Sequence, residues 1–81
     1  MTRAIDLELG DVIDTADGPS IVAGIAISDE SVGVLVMHKK HRRLQYKHHG
    51  YGARFRHIGS EPDDHAIKVV QKKLAKGKVH D

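Results

Sequence analysis

Hydrophobic positions along this chain follow a period of two for most of its length and switch to a helical period only near the end. Ile5, Leu7 and Leu9 alternate with Asp6 and Glu8, which predicts a half-buried strand. Gly10-Asp11 interrupts it, and Val12-Ile13 begins a second short strand that runs into the turn formers of residues 14–19. Residues 20–28 (SIVAGIAIS) are apolar on both faces, the pattern of a central strand covered from two sides, with Gly24 marking a bend or bulge. After a turn at residues 28–31, residues 32–37 (VGVLVM) repeat the two-sided apolar pattern and predict a hairpin with the preceding strand.

Residues 42–48 continue as a strand with Leu44 and Tyr46 on one face, expected inward, and Arg43, Gln45 and Lys47 on the other. Residues 49–52 contain two glycines and read as a turn, after which residues 53–58 resume with Phe55 inward and Arg54 and Arg56 outward. The expectation is a hairpin of these two strands that gathers Arg43, Lys47, Arg54 and Arg56 on one surface, with Tyr51 at its tip. The period then becomes helical. Ser60 is the expected N-cap, Pro62 and Asp63 fall in the first turn, Ala66, Ile67, Val70 and Leu74 form an apolar stripe, and Lys68, Lys72 and Lys76 line another face. Gly77 ends the helix.

These elements predict a mainly β (α+β) fold: a small, strongly bent antiparallel sheet, or an SH3/OB-like open barrel, of four to six short strands with one C-terminal helix over about residues 62–76. The 81 residues suit one domain over 1–77 with a loose tail at 78–81. Aromatic residues are 4% of the chain, so its core must be aliphatic. A core that small leaves a thin stability margin, which makes a homo-oligomer a fair expectation. There is no cysteine, which excludes disulfides and thiolate metal sites, and the longest apolar-rich stretch is far too short to span a membrane. The expected setting is cytoplasmic, with no membrane partner.

Charge changes the picture more than composition does. The net formal charge is only +2, yet residues 1–31 hold seven carboxylates against Arg3 alone, and residues 32–60 hold seven cations and no acid. The stretch 38–57 (HKKHRRLQYKHHGYGARFRH) contains all seven of those cations, five of the seven histidines and all three aromatic residues. Concentrated positive charge interleaved with rings points to a polyanion, most naturally nucleic acid, DNA or RNA, held mainly by its phosphates with weak sequence specificity. Arg42, Arg43, Lys47, Arg54 and Arg56 are expected to contact phosphate, with Lys39 and Lys40 adding long-range attraction and Tyr51 as a stacking platform. Protonation of the histidines would strengthen anion binding in acid.

The histidines also raise metal and catalytic readings. Their spacing matches no zinc signature and adjacent cations oppose a divalent ion, so neither metal nor cofactor is expected. A metal-independent, toxin-like ribonuclease using His48 or His49 with Arg54 or Arg56 is the enzymatic alternative, although the pattern favours a binder over a catalyst. A further alternative is a structural or interaction protein, in which the acidic N-terminal third of one copy meets the basic block of another.

Overall fold

The computed structural model describes residues 1–61 and 64–75. Its elements are β1 (Thr2–Arg3), a 3-10 turn (Ala4–Asp6), β2 (Asp11–Thr15), β3 (Gly18–Ile27), β4 (Val32–His38), β5 (Leu44–His49), β6 (Arg54–Ser60) and a helix, α1 (His65–Ala75). The six strands form one sheet in the order β1-β6-β2-β3-β4-β5, with every pairing antiparallel. The mainly β expectation with one C-terminal helix therefore holds. No helix among the described residues is long and apolar enough to cross a membrane.

The hairpin of β2 and β3 is tighter than the run of turn formers suggests. Thr15 pairs with Gly18, leaving only Ala16 and Asp17 at the tip. The Thr15 hydroxyl donates to the Gly18 carbonyl at 2.9 Å and accepts the Asp17 N–H at 3.2 Å, while Gly18 takes φ +96°, a conformation open to glycine at little cost. β3 then pairs with the whole of β4 from Ser20 to Ile27, with one irregularity between Val22 and Gly24 that leaves Ala23 without an opposite residue. This is the bulge that Gly24 signalled. A second register shift falls where β2 meets β6, between Val12 and Ile13.

The two-sided apolar strands divide the core in two. Ala4, Leu7, Ile13, Val22, Val32, Val34 and Val36 pack on the inner face of the sheet, joined by Phe55 and Ile25. Val12, Ile21, Ala23, Met37 and Ile67 pack on the opposite face, where α1 lies. Alternation makes this split unavoidable: Val12 and Ile13, or Ile21 and Val22, point in opposite directions, so both faces need a cover.

Three expectations are corrected here. Residues 5–9 do not form a strand, because Ala4 and Leu7, three residues apart, are the positions that turn inward in a 3-10 turn; Leu9 is left 47% exposed. The backbone of this segment is anchored elsewhere, with the Ala4 N–H donating to the Ala53 carbonyl at 2.7 Å and Ile5 to Tyr51 at 3.3 Å. β5 and β6 do not pair as a hairpin, since β6 lies between β1 and β2 and β5 is the strand at the other end of the sheet. Finally, Ser60 is the last residue of β6, opposite Asp11, and cannot cap the helix; Asp64 does so, its carboxylate accepting the Ile67 N–H at 3.4 Å. Pro62, Asp63, Lys76, Gly77 and the tail 78–81, together with the side chains of Ala66 and Leu74, lie outside the described residues.

The sheet is strongly curled without closing. Four strand spacings separate β6 from β5, which in a flat sheet amounts to about 19 Å. Yet the rings of Phe55 on β6 and His49 on β5 meet edge-to-face, with centroids 4.9 Å apart and planes at 89°. Bulges bend and twist the strands that carry them, and the two in this sheet fall at Ala23 of β3 and at Ile58 of β6. An open seam between β5 and β6 is the result.

Among the described residues Ile67 is the helix residue buried completely against the outer cluster. Ile67→Ala is expected to cost about 2–5 kcal/mol in urea unfolding followed by circular dichroism, the range for deleting a buried aliphatic side chain. A loss below about 1 kcal/mol would mean that helix docking contributes little to the fold.

Candidate functional site

The polar side of β5 faces inward, the reverse of the sequence expectation. Gln45 pairs with Val36, Lys47 with Val34 and His49 with Val32, so these three share the face of the inner cluster. Leu44 and Tyr46, opposite Met37 and Leu35, stand on the helix side and are 47% and 50% exposed. Tyr46 lies across Gly33, where its ring occupies the space a Cβ would need. The inversion follows from strand order: β6 does not cover the inner face of β5, so polar groups there stay in reach of solvent.

Two adjoining hollows lie along this stripe. One, about 290 Å³, has a floor of Ile13, Val34, Val36 and Phe55 between Lys47 and His49 on β5 and the end of β2 with the turn that holds Asp17. The other, about 300 Å³, is bordered by His38, His41, Arg43 and Leu44, and shares Asp17 and Gln45 with the first. Arg43, Gln45, Lys47 and His49 thus follow one another along a single groove about 20 Å long, at two residues per step. One wall is basic and the opposite turn is acidic.

A buried hydrogen-bonded chain holds the middle of this wall. Ser20 and His38 are both buried, and the Ser20 hydroxyl lies 2.7 Å from His38 Nδ1. His38 Nε2 lies 3.1 Å from the Gln45 amide oxygen, so Nε2 carries the proton and donates while Nδ1 accepts from Ser20. Asp17 Oδ2 stands 3.7 Å from the same Nε2. With its oxygen held by His38, Gln45 leaves its amide N–H groups for the groove.

The residues predicted to bind phosphate are distributed unevenly. Lys39 is ion-paired with Glu61, and Arg42, at φ +55°, has Asp64 at 4.0 Å. Lys40, Arg43, Lys47, Arg54 and Arg56 are exposed and have no acid within ion-pair distance among the described residues. Lys40 and Arg43 sit in and after the β4–β5 turn and Lys47 on β5, so these three belong to one edge. Arg54 and Arg56 alternate with Phe55 on β6, and so project from the other face of the sheet, opposite Arg3 and Asp14. Tyr51 is 39% exposed, and its hydroxyl donates to the Ser28 carbonyl.

The alternative sites receive different geometry. His48 and His49 point to opposite faces, His48 toward the Ser31 hydroxyl at 3.4 Å and His49 onto Phe55, so the pair is not brought to one phosphate. Among the described residues no group of three His, Asp or Glu gathers at metal-binding distance. The acidic third is not one surface either. Asp11 is buried and accepts the Glu8 N–H at 2.8 Å with His57 Nε2 at 3.3 Å, and Asp6 is held by Arg3 at 2.9 Å. Gln45 and the apolar floor were missed as site residues, although alternation at 43, 45 and 47 was visible in the sequence; His49 was read as a catalytic candidate in a turn, whereas it is the last residue of β5.

Partial burial against Phe55, reinforced by the charges of Lys47 and His48, holds the His49 imidazole below its ordinary pKa of 6.5. The unfolded chain therefore binds a proton at this position before the folded chain does, and folding loses stability as pH falls below about 6.5. Wild type measured against His49→Gln should lose relative stability between pH 7.5 and 5.5 in thermal unfolding. A difference independent of pH would place the imidazole in open solvent.

Comparison of the chain with protein families, with curated proteins and with solved structures finds no match in any of the three.

Proposed function

We propose that this protein binds nucleic acid through its phosphate backbone along the edge formed by the β4–β5 turn and β5, with Lys40, Arg43 and Lys47 as the principal contacts. The observation that carries the reading is selective neutralisation. Acids close to the basic block pair with Lys39 and Arg42, while these three cations on one edge retain their charge for an external anion. Arg43 and Lys47, four residues apart along extended backbone, stand about 13 Å from each other, so they would meet phosphates that are not adjacent. Such contacts position the partner without reading its sequence.

Lys39 and Arg42 add long-range attraction rather than direct contacts, because each would first have to leave a carboxylate. Arg54 and Arg56 lie on the opposite face and would meet a partner only if it wrapped around β6. Tyr51, with its hydroxyl tied to Ser28, is a less available platform than its place between two glycines implied. The curled sheet with a free seam supports reading the fold as an open barrel of the SH3-like or OB-like kind, a shape whose exposed strands suit oligonucleotides.

Titration of labelled oligonucleotides by fluorescence anisotropy at several salt concentrations tests this. Three phosphate contacts give a log–log slope of about −2 on single strands and about −2.7 on duplex DNA. Arg43→Ala should flatten the slope by roughly one contact and weaken all sequences alike. Binding that ignores salt, or an Arg43→Ala protein with an unchanged slope, would refute the assignment.

A further inference from the structure

We infer that the nucleic acid is single-stranded and that one of its bases enters the hollow floored by Ile13, Val34, Val36 and Phe55, an inference that rests on the phosphate-binding role of β5 proposed above. The hollow opens beside Lys47 and measures about 290 Å³, enough for one base and part of its sugar but not for a base pair. Phe55 is the partly exposed residue of its floor, with Ile13, Val34 and Val36 buried beneath, so an aromatic ring on an aliphatic bed supplies the stacking and dispersion contacts. The charge layout sets the orientation. Phosphate is attracted to the wall bearing Arg43 and Lys47 and repelled by Asp17 at the tip of the β2–β3 turn, so a nucleotide lies with its backbone on β5 and its base pointing across the groove.

Polar groups beside the floor suit a base edge. The amide nitrogen of Gln45 is left over once His38 holds its oxygen, and it stands where the two hollows join. His49, edge-on to Phe55, closes one end of the floor. A duplex keeps its bases stacked and paired, so filling this hollow from duplex requires unpairing that a single strand does not. The groove length of about 20 Å corresponds to about three extended nucleotides. RNA and DNA offer the same phosphate and base chemistry here; only the 2′-hydroxyl separates them.

The test measures the wild-type protein against four probes of matched charge by fluorescence anisotropy: a single-stranded RNA, a single-stranded DNA, the same DNA with one or more abasic positions, and a duplex. Inorganic polyphosphate serves as a competitor that has phosphates and no bases. Stacking of one base predicts single strands binding about tenfold tighter than the abasic or duplex probes. In Phe55→Leu the preference for single strands over the abasic probe should shrink severalfold. The abasic probe keeps the test independent of that variant, because it leaves the protein core intact. The relative affinities of the RNA and DNA arms identify which nucleic acid is preferred. Equal, salt-sensitive binding of all four probes, displaced by polyphosphate, would overturn the base pocket and leave the phosphate reading standing. Absence of binding to every probe and to polyphosphate at low salt would overturn both.

Discussion

Edge-to-face contact between Phe55 and His49 spans a gap that no hydrogen bond closes, and the rest of the molecule is arranged around that gap. Four strand spacings lie between the two residues along the sheet, so they can meet only because the sheet curls. Curling turns one face into an interior, and that interior is filled mainly by Ile13, Val22, Val32, Val34 and Val36. Ala4 and Leu7 complete the same cluster, while Ala4 and Ile5 are hydrogen-bonded to the link between β5 and β6. The N-terminal segment thus couples the β5–β6 connection to the core.

An unclosed sheet has consequences for charge as well as packing. Had β6 paired with β5, Lys47 and His49 would have pointed into an enclosed apolar space, where burying an unpaired ammonium costs several kcal/mol. Leaving the seam open lets these groups keep their hydration while their stems cover the valines beneath. The same opening exposes part of the hydrophobic floor. Apolar floor, basic wall and acidic turn are therefore three results of one topological fact, and together they define a groove with a direction.

Polar groups that cannot reach solvent are satisfied internally. Ser20 and His38 bond to each other, and His38 to Gln45, tying β3, β4 and β5 together on the inner face. Asp11 takes the Glu8 N–H and stands against His57 where β2 meets β6. These bonds explain why parts of the acidic and histidine-rich stretches are structural. A formal count of charges by segment treats Asp11 and Asp29 alike, whereas one is buried and the other is solvent-exposed.

The later strands, a turn within residues 14–19, the bulge at Gly24 and the helical placement of Ile67 could be read from the sequence, because each depends on neighbours within a few residues; the alternation at residues 5–9 misled, since Ala4 and Leu7 turn inward with a 3-10 spacing instead. So could the polar alternation of Arg43, Gln45 and Lys47. What local pattern could not supply was which strand lies beside which. Two apolar-polar strands joined by a short glycine-containing turn look like a hairpin, but the inner core and β2 give β6 a better partner than β5 does. That choice decided that the polar side of β5 faces inward, separated Arg54 and Arg56 from Lys47, and created the groove. A strand's period determines which residues share a face; only packing against strands distant in sequence determines which face is covered, and here that difference sets where the groove and its polar wall lie.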